Sequence, residues 1–528
     1  MIEKRNSPQI ITTFSNFIEN YSLPVLYLAF FLYSIIYVAS RSFWLDESMV
    51  ALSIVESGIS PFEPLKVHNQ VSPWGFVLIT KLVILLFGAG DLQFRLPGTM
   101  MYFGSMGYLA CYFKRRYGLT VALVFSFIIL ANPVLLRYST EFKHYVYEFS
   151  FAIILLTSYF EILNNNQHAK YIYGISALLS IFFGISIIFV IAAIFGVEML
   201  RRLKLSYKKT FQAKWFLFHG LVFAGFLIWY IVSITPNIYF NLINYPHYFN
   251  FTLGPENILN VNYWGKLLNI LNSVLIENLS IILIICFLSC LFLFFAKIIS
   301  QLNFSIISLP FIIYLLIYFL NFAGKYPILA VRHSLFVLPA IYHLFAYLTF
   351  KLQAAIKIKV FQFILCALLI GISAGTLLDH HTQGKIFVQE IKPVLNSIHP
   401  TDKVFLYFSA QPGYQWYKLT LYQDLPIPLN PEVNAETGLG IPVEEMQSNL
   451  PELITKHGAW PAIARLTSID DTEIYAKYLT DQISQVKQSK VIVSHRKGLD
   501  LQRNLAKKCD FTVIERNISA YILSVNCP

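Results

Sequence analysis

Charge is scarce in this sequence. Asp, Glu, Lys and Arg make up 13% of 528 residues while apolar types reach 56%, against about 25% charged in ordinary soluble proteins. That excludes a conventional water-soluble fold for the chain as a whole. Polar stretches are equally rare between Leu23 and about Leu378. Windows of roughly 17 to 25 apolar residues recur there, the length that crosses a hydrocarbon core of about 30 Å. Cysteine is sparse too: Cys111, Cys286, Cys290 and Cys366 are scattered through apolar segments without metal-ligand spacing, which reads as buried small hydrophobes rather than a metal centre. The polar first 22 residues and the lack of a small-residue cleavage site argue against a removable signal peptide, so the first apolar run is expected to stay as a span. No P-loop, dinucleotide fingerprint or nucleophile triad is present, nor a fixed-period repeat or a low-complexity tract. The net charge of +11 would suit a nucleic-acid binder, but Lys and Arg gather in the short cytoplasmic loops of membrane proteins. No nucleic-acid partner is expected.

What is present is a polytopic α-helical membrane protein. Lys4 and Arg5 before the first span (Leu23 to Val38) favour a cytoplasmic N-terminus and place loop 41–70 outside. Segment 72–88 has a short apolar core that opens on Ser72-Pro73 and carries Lys81. Were it to cross, Lys114, Arg115 and Arg116 after the next span would fall outside, so it is read as re-entrant or interfacial. Further spans are expected near 97–113, 119–136, 146–162, 171–197 (a hairpin of two short helices), 215–234, 275–296, 303–321, 334–350 and 358–378. The tally is about eleven. The basic loops then lie inside, and the outer elements are loop 41–96, loop 236–273 and a C-terminal region. That multi-pass chain suits a plasma or inner membrane, with the N-terminus cytoplasmic and the C-terminus extracytoplasmic.

From residue 384 onward charges, prolines and turn residues return at soluble density, which predicts a separate extracytoplasmic α/β domain over 384–528. TDKVFLYFSAQPGYQWY and VIVSHR read as strands and KPVLNSI as a helix. Tyr407, Tyr414, Trp416 and Tyr417 suit a core more than a sugar-stacking surface. Cys509 and Cys527 flank the strand-like runs FTVIE and AYILSV and could close a hairpin in an oxidising compartment.

Three groups of residues could carry chemistry. Asp46 and Glu47 stand just beyond the first span, behind the interface anchor Phe43-Trp44. A carboxylate there can take a proton from an acceptor hydroxyl or hold a divalent cation, Mg or Mn, beside a phosphate. Adjacent side chains point apart, so Asp46 is expected to face the site and Glu47 to support it; solvated loop charge is the plain alternative. In RYSTEFKHY, a continuous helix would put Arg137, Glu141 and Tyr145 on one face, with Lys143 and His144 adjoining. In GKYPILAVRHS, Lys325, Tyr326, Arg332 and His333 stand at the ends of two spans, where fixed cations suit a phosphate. Both groups could instead be snorkelling side chains at helix ends. His68 and Gln70 add hydrogen-bonding capacity in the first loop.

The order of these elements resembles the GT-C glycosyltransferases, in particular the family 39-like group that includes protein O-mannosyltransferases and the bacterial aminoarabinose and Rgt-like transferases. The resemblance runs through FWLDE, SPWGF, LLFGAGDLQFRLPG, YSTEFKHY and KYPILAVRH and then an outer domain. It covers residues 41–339 and makes 1–383 the transmembrane GT-C domain. It implies inverting transfer of a sugar from a polyprenyl-phosphate-linked donor, drawn from membrane lipid, to an acceptor glycan, lipid or protein. It also implies Asp46 as base and Glu141 as the second outer-loop acid, and the residue reading adds Glu47 to the catalytic set as the support of Asp46. Lys143, Lys325, Tyr326, Arg332 and His333 would be donor-phosphate contacts, and His68, Gln70 and Tyr145 substrate contacts. The chain departs from the family where Ser72-Pro73 replaces a proline pair and Lys143-His144 replaces Arg-Pro. A transporter or flippase of lipid-linked intermediates is the alternative from another class; it predicts charges in the bilayer interior, whereas most ionisable groups here map to span ends.

Overall fold

The computed structural model describes residues 7–58, 65, 72–204, 213–235, 303–322, 331–355, 359–382, 390–430, 476–477, 479–494, 499–517 and 519–528. The apolar segments among them are helical: α1 (Ser7–Ser40), α2 (Leu45–Glu56), α3 (Trp74–Phe87), α4 (Asp91–Tyr117), α5 (Leu119–Leu130), α6 (Pro133–Ser139), α7 (Tyr145–Leu163), α8 (His168–Phe183), α9 (Ile187–Lys204), α10 (Ala213–Trp229), α11 (Phe304–Phe322), α12 (Leu338–Ala355) and α13 (Lys359–Thr382). Among the described residues, four helices are long and apolar enough to cross a membrane, or five if α5 and α6, bent by 69°, count as one span. Leu28, Leu32, Leu217 and Ile228 stand exposed on such helices, as side chains facing lipid do. The chain is a polytopic helical membrane protein. The span expected at 275–296 and the loop 236–273 lie outside the described residues. α3, at 14 residues and about 1.5 Å per residue, is shorter than the hydrocarbon core. Cys111 is exposed rather than buried; it sits on a helix whose outer surface would face lipid.

The chain forms two compact units, Met1–Tyr37 with Leu96–Phe226 and Phe251–Gln383, and Val38–Arg95 with Leu227–Asn250 and Gly384–Pro528. In the first, Arg115 and Arg116 reach the buried Glu161 near the end of α7, at 2.7 and 3.4 Å. Lys114 donates to the Glu19 carbonyl at 2.7 Å. The basic run therefore shares one end of its helices with the Asn164–Asn166 turn. At the other end Thr99 donates to the Ser139 carbonyl at 2.8 Å, and a Cβ on Gly98 would meet Val146 at 2.9 Å, so α4 and α7 run parallel in close contact. The expected hairpin appears as α8 and α9, broken at Gly184, where any side chain would run into Glu148.

The second unit holds a four-stranded mixed sheet of β1 (Val404–Leu406), β2 (Gln488–Ser494), β3 (Asp510–Asn517) and β4 (Ala520–Asn526), in the order β1-β2-β4-β3. Its helices include α14 (Ile391–Leu395), α15 (Gln411–Thr420) and α16 (Leu499–Leu505). β1 runs parallel to β2, and the other pairings are antiparallel. Phe405, Val491, Val493, Leu501, Leu505, Leu523 and Val525 build the core, and a Cys509–Cys527 disulfide closes the β3–β4 hairpin. One expectation fails: QPGYQWY is helix α15, not strand. Pro412 in its first turn suits a helix start, and Gln411, Tyr414 and Tyr417 recur at helical spacing on a buried face. The alternation of Tyr414, Gln415 and Trp416 had mimicked a strand. α15 packs on α2.

Candidate functional site

In the second unit the site begins with four residues that have no regular secondary structure. Arg41 to Trp44 join α1 to α2 as extended chain, and backbone buried outside a helix or sheet must find side-chain partners. It does so almost group by group. The Ser42 N–H donates to both Glu390 oxygens at 3.1 and 3.0 Å. The Phe43 N–H donates to the Tyr417 hydroxyl at 2.6 Å, and the Trp44 N–H to Glu47 at 3.2 Å. The Arg41 and Ser42 carbonyls each accept from Arg95 at 2.9 Å. Glu47, at the third position of α2, thus makes the return half of a capping box.

Glu47 is fully buried. Arg95 grips it with two bonds, Nε to Oε1 at 2.9 Å and Nη2 to Oε2 at 2.6 Å, the bidentate fork that suits a carboxylate. Arg41 reaches Oε1 at 3.3 Å, and the Arg95 guanidinium also lies over the Phe43 ring at 4.6 Å. Asp46, one residue earlier, is half-buried on the same first turn, where the helix dipole favours a negative charge. Both Glu47 oxygens accept from guanidinium groups, which takes Glu47 out of consideration as a cation ligand. Among the described residues no three His, Cys, Asp or Glu side chains come together as metal ligands.

Behind this stretch lies Asp91, one helical turn before Arg95 on α4. It accepts from Trp416 Nε1 and the Tyr417 hydroxyl, each at 2.8 Å, and from Lys392 Nζ at 3.3 Å. Burial, followed by the Asp91 charge, pushes the Tyr417 phenol well above its ordinary range, so it stays a protonated donor. Burial also raises the Glu390 carboxyl, against the opposing pull of the Ser42 bonds and of Arg41 and Arg95.

In the first unit Glu141, Lys143, Tyr145, Arg332 and His333 come together at the start of α7. The continuous helix expected through this segment does not form. α6 ends at Ser139 because the Thr140 hydroxyl bonds back to the Leu136 and Arg137 carbonyls, both at 3.0 Å, and a turn carries the chain to Tyr145. Glu141 and Tyr145 therefore share no helix face, while Glu141 still meets Arg137 at 3.6 Å. The Tyr145 ring is the hub. His333 packs edge-on at 5.4 Å, His144 lies at 4.4 Å and the Arg332 guanidinium sits 5.9 Å from its centroid. Arg332 and His333 lie on the 3-10 turn Val331–Val337 that leads into α12. Burial, with the charges of Lys143 and Arg332, pushes the His144 imidazole down to about 3. Lys143 is itself buried.

His68, Gln70, Lys325 and Tyr326 lie outside the described residues. Arg41, Asp91, Arg95 and Glu390 had not been singled out in the sequence, and Tyr417 had been read as a core aromatic. The signal that could have found two of them is Asp91 and Arg95 at i, i+4 inside the otherwise apolar GAGDLQFRLPG, since opposite charges in an apolar setting call for partners.

No family model and no curated protein matches the chain. Two solved structures are similar to it, both of ArnT from Cupriavidus metallidurans. The apo form is 12% identical, with 96% of this chain and 98% of that one covered and a TM-score of 0.49. The form bound to undecaprenyl phosphate is 12% identical with the same coverage, 96% and 98%, and a TM-score of 0.44.

Proposed function

We propose that the chain is a membrane glycosyltransferase of the GT-C type, which moves a sugar with inversion from a polyprenyl-phosphate-linked donor to a glycan, lipid or protein acceptor at the outer membrane face. The observation that carries this reading is the division within the acid pair. Glu47 is immobilised between Arg41 and Arg95, while Asp46 beside it is held on a rigid first turn and half-exposed. A fixed turn presenting one carboxylate is what a general base needs.

Asp46 takes the proton of the acceptor hydroxyl as that oxygen bonds to the anomeric carbon. The bond from that carbon to the phosphate oxygen breaks, and the phosphate leaves with the electron pair. By role alone, we assign the charge that develops on the leaving phosphate to Lys143, Arg332 and His333, and on the resemblance to Lys325 and Tyr326. Glu141 braces Arg137 within that group. His68, Gln70 and Tyr145 are assigned to the sugar. The Cys509–Cys527 disulfide supports an oxidising, outward-facing location for the sheet.

The test uses purified protein in lipid with a panel of polyprenyl-phosphate-linked hexoses and pentoses and follows release of polyprenyl phosphate. Asp46→Asn is expected to lower turnover about 100- to 10,000-fold, the usual worth of a general base. A wild-type rate in that variant overturns the assignment.

A further inference from the structure

The four residues before α2 are held almost entirely by side chains from two other stretches, α4 and the Glu390–Tyr417 region. Tyr417 is the one group of this set whose single oxygen serves two partners. It accepts from the Phe43 N–H at 2.6 Å and donates to Asp91 at 2.8 Å. Phe43 stands three residues before Asp46, and its ring stacks on Trp416 at 5.1 Å. Trp416 in turn donates to the other Asp91 oxygen. Asp91 thereby orients Trp416 and Tyr417 of α15 against the entry to α2, and the bond it accepts from Tyr417 aims the phenol's lone pair at the Phe43 amide.

Resting on the reading of Asp46 as base, we infer that Tyr417, oriented by Asp91, is a positioning residue for the Asp46 carboxylate. The C-terminal helix α15 is then part of the catalytic apparatus, because it packs on α2 and sets where the first turn of α2 begins. The phenol touches no substrate in this scheme. It acts through the backbone of residues 42–47, and its effect falls on the geometry of proton removal more than on binding.

Tyr417→Phe deletes both hydrogen bonds while keeping the ring. The expected result is a fall in kcat of about 10- to 100-fold with KM within about twofold, the signature of a small misplacement. Backbone amides of residues 42–47 are expected to exchange faster with deuterium as their anchor is lost. Tyr414→Phe is the control, because its hydroxyl donates to the Pro426 carbonyl and not to the first loop; it should leave kcat and exchange unchanged. Adding Asp91→Asn to Tyr417→Phe should cost less than the product of the two single effects, since both act through one relay. If Tyr417→Phe does not accumulate as folded protein, Asp91→Asn alone carries the test, with an expected fall in kcat of about 3- to 10-fold, the worth of one hydrogen bond.

Wild-type kcat and wild-type exchange at residues 42–47 in Tyr417→Phe would overturn the inference, as would a loss expressed wholly in KM. The two failures separate cleanly. Full activity in Asp46→Asn removes the base and with it Tyr417's catalytic purpose. Loss of activity in Asp46→Asn beside an unaffected Tyr417→Phe removes only the positioning role.

Discussion

Two buried clusters of charge, one in each unit, solve opposite problems. Around Glu47 the ions are matched, Arg41 and Arg95 against Glu47 and the nearby Glu390: Glu47, with no exposed surface, receives three bonds from the two guanidiniums, and the same Arg95 satisfies two backbone carbonyls. Around Tyr145 the packing is looser. Arg137, 31% exposed, stands 3.6 Å from Glu141, and Arg332 and two imidazoles surround the Tyr145 ring with the buried Lys143 close to His144. A matched cluster rigidifies what it touches, whereas cations gathered at an aromatic ring suit a phosphate. The comparison separates a scaffold from the cluster proposed to hold a ligand.

The largest expected effect comes from unbalancing the matched cluster. Arg95→Gln leaves Glu47 buried with Arg41 alone and strips the Arg41 and Ser42 carbonyls of their donor. Breaking a buried ion pair on one side costs about 3 to 5 kcal/mol. The variant should therefore melt far below wild type in detergent, with a reduced yield of monodisperse protein. A wild-type melting curve would show that the cluster is not a scaffold, and the contrast would collapse.

A second effect, of middle size, lies in the pH dependence of the cationic cluster. His144 titrates near 6.5 when exposed and about 3 in the fold, so between those values the unfolded chain binds the extra proton. Stability is then fully present above about pH 6.5 and declines as the pH falls toward 3. At pH 5 the loss is about 2 kcal/mol, from roughly 1.4 kcal/mol per unit over 1.5 units. His144→Gln has no such proton to take up, so its melting temperature should vary less between pH 7 and pH 5 than that of wild type. An equal slope in both proteins would mean that burial in the fold does not hold the His144 imidazole neutral.

These contrasts mark what the sequence could and could not carry. The helices were legible because apolar windows and basic loop residues are local properties, and the gathering of Lys114, Arg115 and Arg116 with the end of α7 agrees with where charge was expected to collect. The strands β1 to β4 and the terminal disulfide were legible for the same reason. The partners of the acid pair were not: Arg95 is 48 residues from Glu47, Glu390 is 348 from Ser42 and Tyr417 is 374 from Phe43. No periodicity encodes a bond at such separation. Local chemistry also misled in two places. Thr140 ended a helix that composition would have continued through Glu141, and alternating aromatics disguised α15 as a strand.

The smallest effect is expected at the other acid pair, and it is the sharpest control on the comparison. Glu141 and Glu47 are both nearly inaccessible and both face an arginine, so a count of ion pairs would rank them alike. Their arginines differ. Arg95 is entirely buried and bidentate, whereas the Arg137 side chain is 31% exposed and stands 3.6 Å from its carboxylate. Water screens the second pair and can solvate the acid's side of the gap once the cation is gone. Arg137→Gln should therefore cost less than about 1 kcal/mol, in the range of partly exposed pairs, and its melting curve should stay within a few degrees of wild type. If instead it melts as early as Arg95→Gln, the two clusters are equivalent scaffolds. The cations around Tyr145 would then serve the protein's own packing, and the assignment of that cluster to a phosphate would lose its electrostatic reason.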